Sequence, residues 1–596
     1  MGGHDDAFDG DEDAALRYAI ALSLQEANVP VSPSTGPKPI RIDSDDSRDD
    51  DLEDGPKYPP TPKKANHQSA DKDCIRGTSA ALSFPPAVVQ TIPAATQLNS
   101  FAALGLDRKK MEEERLRRSA KRKAPSIDDK DSAERPPRRV KIESQLNGMP
   151  FTSTTHATAS VKTPLLPYSK GVVKKTWAFG YPRQDDIKIE EIFQKDELEL
   201  AVLSSFQWDD AWMLSKIDIM KTKIVCIAFA SNEAHKAEMR ANVPKDRIRF
   251  CFPPMMPAGS MHSKLQLLKF PKYLRIVVPT GNLVPYDWGE TGVMENMVFL
   301  IDLPLLEGSA ITSSNCLTMF GQELCFFLKA SGLDESLVSS LLKYDFSETD
   351  RYRFIHTIGQ SHVGEDWQRT GYCGLGRAVK SLGLATASEV ELDFVVASLG
   401  SVNTDLISAI YNAALGDNGM REYESRSARS GKKKAGQESD WSHVLDKFRI
   451  YFPSHETVSQ SRGGKSAGGT ICLQNKWWAS ATFPRRLIRD CKSVRSGLLM
   501  HTKVLFVRRS GKASWAYLGS ANLSESAWGR LVKDRTSGQP KLNCRNWECG
   551  VLIPLEGEPV AADLSAFEKS IPVPMVIPGD PYGKTNSKQP WLFLEA

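Results

Sequence analysis

The 596 residues suffice for more than one domain, and 25% charged with 40% apolar residues is an ordinary composition for a water-soluble chain. A net charge of +4 permits a nucleic-acid partner without demanding one. The ten cysteines form no paired CxxC spacing, which argues against a zinc ribbon or finger, and with neither a signal-peptide pattern nor a long apolar run the expectation is a soluble intracellular protein.

Residues 1–165 are rich in Pro, Ser and charge and poor in clustered large apolar residues, so they are expected to form a disordered tail. One stretch in it, DEDAALRYAIALSLQE from Asp11, stands apart. Leu16, Ala19, Ile20 and Ser23 fall at i, i+3, i+4 and i+7, one helical stripe, and the acidic start suits a helix N-terminus. This stretch, taken as a helix over 11–27, resembles a ubiquitin-interacting motif. The resemblance implies that Leu16, Ala19, Ile20, Ser23 and Glu26 face ubiquitin. Further on, residues 108–141 carry repeated Lys/Arg clusters of the kind used for nuclear localisation or nucleic-acid contact.

The folded part is expected to begin near 166. Ile187–Phe193 with Leu198–Phe206 reads as a helix pair, and Asp209–Lys216 as helix. Strands are expected at Lys223–Ala230, Arg247–Cys251, Asn296–Leu303, Leu392–Ser398, Arg449–Phe452 and Glu548–Ile553, and helices within 315–345 and at Asp405–Leu415. Such alternation predicts α/β layers around a sheet. Residues 421–440 are expected to form a mobile basic insertion.

One phrase occurs twice. HTKVLFVRRSGKASWAYLGSANLSESAWG starts at His501, and HSKLQLLKFPKYLRIVVPTGNLVPYDWG at His262. Each gives His-x-Lys on one face at the start of a strand, a turn, a second strand, Asn-Leu, and Trp-Gly at the same distance from the Asn. A duplicated domain follows, with halves at 166–347 and 348–596 related by a pseudo-twofold. If the halves face each other, one neutral imidazole can act as nucleophile and the other, protonated, can donate to a leaving group. Two ammoniums and two carboxamides can bind the oxygens of a phosphoryl centre. No other carboxylate or Cys/His cluster suggests a catalytic ion, so neither metal nor cofactor is expected. His235, His356, His362, His443 and His455 sit in no repeated phrase and are expected to be structural.

The paired phrases resemble the phospholipase D superfamily, and with it imply two similar α-β-α domains. Ordinary members carry an Asp five residues after the Lys, where this chain has Lys269 and Arg508. That departure, with both Asn retained, resembles the tyrosyl-DNA phosphodiesterase branch, as do Ser398-Leu399-Gly400-Ser401, Ala467-Gly468-Gly469-Thr470 and Trp547-Glu548-Cys549-Gly550. The resemblance implies His262 as nucleophile and His501 as general acid and base. It places Lys264, Lys503, Asn282 and Asn522 on the phosphate, with Ser520 and Ser398 as further substrate contacts. Glu548 matches an acidic residue that orients a catalytic His, and Glu295 stands near its first-half counterpart; which carboxylate serves which His stays open. The implied activity is metal-independent removal of a topoisomerase I peptide from a DNA 3′ end, single- or double-stranded, by a nuclear monomer through a phosphohistidine. Another nuclease of the superfamily, or a ubiquitin-binding adaptor without activity, are the alternatives.

Overall fold

The computed structural model describes residues 166–306, 317–430, 442–509, 514–556, 563–582 and 588–593. The expected ubiquitin-binding helix at 11–27, the basic run at 108–141 and residues 431–441 lie outside the described residues.

Two mixed sheets form the frame. The first has eight strands, in spatial order Asp186–Ile187, Val172–Thr176, Met297–Pro304, Tyr273–Pro279, Gln266–Lys269, Leu200–Ser204, Lys223–Ile227 and Ile248–Cys251. The second has seven, in order Arg353–Thr357, Glu548–Pro554, Trp515–Gly519, Val504–Arg508, Glu391–Val395, Phe448–Phe452 and Ile488–Asp490. Strand by strand from Val172–Thr176 and Arg353–Thr357, the two orders and directions coincide: three antiparallel pairings, a fourth antiparallel step, then two parallel ones. The duplication read from the repeated phrase is therefore a duplication of the whole sheet.

The sheets share one apolar layer. Ile276, Val278 and Phe299 of the first meet Phe506, Leu518 and Val551 of the second in a single cluster, closed by Phe320, Leu324 and Phe327 of helix Met319–Ala330. The outer face of the first sheet, including Val277 and Val298, packs on helices Ile189–Phe193 and Asp210–Ser215. The outer face of the second packs on helices Gly371–Ser381 and Thr404–Ala414. Because each central strand is covered on both faces, every residue of Tyr273–Pro279 and all of Met297–Pro304 except the final proline is buried, and the strands read as continuous apolar runs instead of alternating ones.

That double burial explains one correction. Within Leu198–Phe206, expected as helix, Leu200–Ser204 is a central strand, paired with Lys223–Ile227 and Gln266–Lys269. A short unbroken apolar run carries no period to tell strand from helix, and the pairing decides. A second correction falls in the expected mobile insertion at 421–440. Its first part belongs to helix Met420–Ser430, fastened by Arg426 to Glu422 at 2.6 Å and by Arg429 to Asp405 at 2.8 Å. Lys269 and Arg508, the two departures from the superfamily pattern, end their strands in ion pairs, Lys269 with Glu199 at 2.7 Å and Arg508 with Asp393 at 2.8 Å.

Candidate active site

The repeated histidines lie just before their strands, not in them: Gln266–Lys269 follows His262, and Val504–Arg508 follows His501. Each is instead tied to the other half of the molecule. The His262 N–H donates to the Trp547 carbonyl at 3.0 Å, and the His501 N–H to the Glu295 carbonyl at 3.1 Å. Both rings are buried.

The side chains cross in the same way. His262 Nδ1 lies 2.8 Å from Glu548 Oε2, a residue of the second half. His501 Nδ1 lies 3.1 Å from both carboxylate oxygens of Asp287, a residue of the first. An ionised carboxylate only accepts, so each Nδ1 carries the proton and each Nε2 keeps its lone pair.

Glu548 thus holds His262, but Glu295 does not hold His501. Its carboxylate instead takes the Arg495 Nε at 2.7 Å and the Ser493 hydroxyl. The backbone explains the difference. Glu295 and Trp547 offer equivalent carbonyls to the two histidines, so the residue equivalent to Glu548 is Asn296. Successive side chains of a strand point to opposite faces, so Glu295 is turned away. Asn296 Nδ2 donates to Asp287 Oδ1 at 3.0 Å and steadies the carboxylate that stands in. Sequence reasoning missed Asp287, although the repeat held a signal: the residue before Trp-Gly is Asp287 in one copy and Ala527 in the other.

Lys264 and Lys503 are fully buried between these pairs, with Nζ donating to the carbonyls of His262 at 2.8 Å and His501 at 2.6 Å. The Asn522 Oδ1 accepts the N–H groups of Ala397 and Ser398, at 3.1 and 3.0 Å, which turns its amide donors the other way. Ser398 lines a cleft open to solvent, beside His262, Glu548, Asn522, Gly400 and Trp477. Ser520, expected on the substrate, braces the site: its hydroxyl donates to Glu548 Oε2 at 2.5 Å and accepts from the Cys549 N–H at 2.9 Å. The other histidines lie elsewhere: His356 pairs with Glu323, His362 with the Ile358 carbonyl, His235 with Ser231, and His455 stacks on Trp591. Of the His443 side chain the described residues tell nothing.

Burial dominates the electrostatics. It lowers both imidazoles to a pKa of about 4 against the pull of their carboxylates, so both are neutral near pH 7. It also lowers Lys264 to about 8, and Lys503, with Lys264 beside it, falls well below its ordinary value. For Glu548 and Asp287 burial would raise the pKa, but the facing imidazole and lysine prevail and hold both below the usual range. Two lysines facing two carboxylates, with neutral rings between, can take up a singly charged phosphodiester by protonation of a ring. Among the described residues no cluster of three His, Cys, Asp or Glu could hold a metal ion.

A duplicated α-β-α frame whose two His/Lys pairs are buried against crossed carboxylates defines an enzyme of the phospholipase D-like phosphodiesterase class. The sequence pattern of the family described as tyrosyl-DNA phosphodiesterase matches residues 172–583. The chain belongs to that family. A probable tyrosyl-DNA phosphodiesterase of Caenorhabditis elegans is 26% identical over 338 residues, 56% of this chain and 68% of that protein. Tyrosyl-DNA phosphodiesterase 1 of Arabidopsis thaliana is 24% identical over 391 residues, 61% of this chain and 58% of that one. In fold, the crystal structure of the yeast tyrosyl-DNA phosphodiesterase superposes with a TM-score of 0.52 at 16% identity, covering 72% of this chain and all of that one. Residues 11–27 match the ubiquitin interaction motif.

Two expectations follow. Asp287→Asn removes the charge that fixes the His501 ring, and kcat falls on the order of 10⁴-fold; Glu295→Gln takes the counter-charge from Arg495, lowers stability by about 3 kcal/mol in a denaturant titration, and keeps kcat near wild type. The second concerns pH. An oxyanion such as tungstate raises the pKa of the imidazoles it touches, so its binding takes up protons and tightens as pH falls from about 8 to about 6. Calorimetry in two buffers of different ionisation heat measures that uptake, and a pH-independent affinity would contradict it.

Proposed function

We propose that the chain is a DNA-repair phosphodiesterase that hydrolyses a 3′-phosphotyrosyl bond between DNA and a topoisomerase I-derived peptide, through a covalent phosphohistidine. The observation that carries the reading is the crossed arrangement of two neutral, carboxylate-held imidazoles around two buried lysines. His262 borders the open cleft. A nucleophile must keep the retained strand in place during the intermediate, so this position suits His262 for attack and leaves the tyrosine to His501.

The bonds then change as follows. His262 Nε2 attacks phosphorus while the phosphorus–oxygen bond to tyrosine breaks. His501, protonated once the phosphate anion is beside it, gives its proton to the phenolate. It then takes a proton from water, which attacks phosphorus and releases His262 and a DNA 3′-phosphate. Lys264, Lys503, Asn282 and Asn522 hold the non-bridging oxygens. One chain supplies both halves of the cleft, so a monomer suffices. The basic run at 108–141 suits action in the nucleus, and the match at 11–27 supports ubiquitin as a partner of the tail.

The histidine roles separate experimentally. Tyrosine, with a pKa of ~10, is a fair leaving group, whereas water without a base is a poor nucleophile. In EDTA, wild type should still cleave a 3′-phosphotyrosyl oligonucleotide, His262→Ala should be inactive, and His501→Asn should accumulate an acid-labile protein–DNA adduct that the double variant lacks. Adduct in His262→Ala, or activity lost in EDTA and restored by Mg²⁺, would overturn the mechanism. For the tail, replacing Ala19 and Ser23 with Glu should abolish ubiquitin binding in a titration of the full chain, with turnover of ubiquitin-free substrate unchanged.

A further inference from the structure

The duplication allows the two flanks of the cleft to be compared residue by residue. Trp208 bridges to Leu283 as Leu399 bridges to Leu523, both parallel. The Asp209 N–H donates to the Leu283 carbonyl as the Gly400 N–H does to that of Leu523. The Gln207 N–H donates to Asn282 Oδ1 as the Ser398 N–H does to Asn522 Oδ1. Gln207 is therefore the counterpart of Ser398. Counting from each Asn, Tyr286 is the counterpart of Ser526 and Asp287 that of Ala527.

Each of these substitutions enlarges the first-half flank. Where the second half opens the cleft with Ser398, Gly400 and Ala527, the first half carries Gln207, Asp209 and Asp287. Gln207 is 7% exposed, and its Oε1 accepts the Tyr286 hydroxyl at 2.6 Å and Asn282 Nδ2 at 3.2 Å. Its Nε2 is buried with no partner. An unpaired buried amide is costly, so a donor left in this condition next to Asn282 is a candidate for contact with what enters.

Resting on the proposed roles of His262 and His501, we infer that Gln207 is a specificity-determining residue that gauges the leaving group. Tyr286 and Asn282 lock its amide, and the Asn282 N–H in turn donates at 2.6 Å to Asp287, the carboxylate that holds His501. A single flat phenolic ring fits next to phosphorus there, while a ring broadened close to the scissile oxygen meets Gln207. On the other flank the small Ser398 and Gly400 leave room for the retained strand.

The test compares two oligonucleotides, one bearing a 3′-phenyl and the other a 3′-(1-naphthyl) phosphodiester; phenol and 1-naphthol are alike in basicity and differ in breadth beside the oxygen. Wild type should prefer the phenyl ester in kcat/KM. Gln207→Ser, which copies the open half, should reduce that preference about tenfold, the scale of a pocket-size effect. Gln207→Met keeps the volume but loses the hydrogen bonds; it should retain the preference even if both rates fall. An unchanged preference in Gln207→Ser, an equal loss in Gln207→Met, or no wild-type preference would overturn the gauge while leaving the phosphodiesterase reading intact. No wild-type turnover of either ester would overturn both.

Discussion

Each of the two repeated imidazoles depends on the opposite half of the chain. Backbone and ring of His262 are held by Trp547 and Glu548, those of His501 by Glu295 and Asp287. A ring with one nitrogen donating to a fixed carboxylate has its tautomer and its direction set together. Neither half could do this alone, because the carboxylate and the carbonyl both come from across the seam. The shared apolar layer between the sheets, Ile276 and Val278 against Phe506 and Leu518, is what keeps the four partners in register.

The same burial that fixes the rings sets their charge state. Lysines and carboxylates this far from water are tolerated only in mutual compensation. Lys264 and Lys503 face Glu548 and Asp287, and the imidazoles between them stay neutral. An arriving phosphodiester shifts this balance toward protonated rings. In the proposed reaction the substrate's own charge thus prepares the acid that its leaving group needs.

Duplication supplied two equivalent sets, and divergence made them unequal. The second half has its carboxylate at the start of the strand, as Glu548, and small residues around Asn522. The first half has its carboxylate at Asp287, with Asn296 as the brace, and fills the flank with Gln207 and Tyr286. These changes are linked, since Tyr286 and Asp287 are neighbours on the same short loop after Asn282.

The sequence by itself determined the duplication, the α/β class and the His/Lys/Asn sets, because each is carried by a pattern along the chain: a repeated phrase, apolar runs, fixed spacings. Glu548 was legible from its neighbours Trp547, Cys549 and Gly550 in the same way. The strand at Leu200–Ser204 was not, since a run buried on both faces has no period, nor was the helix at Met420–Ser430, whose polar residues are held by Glu422 and Asp405. Only the tertiary structure decided which carboxylate serves which histidine. It exchanged Glu295 for Asp287 and turned Ser520 from the substrate to the Glu548 carboxylate, because those contacts join residues 28 to 286 positions apart or hinge on which face of a strand a side chain takes.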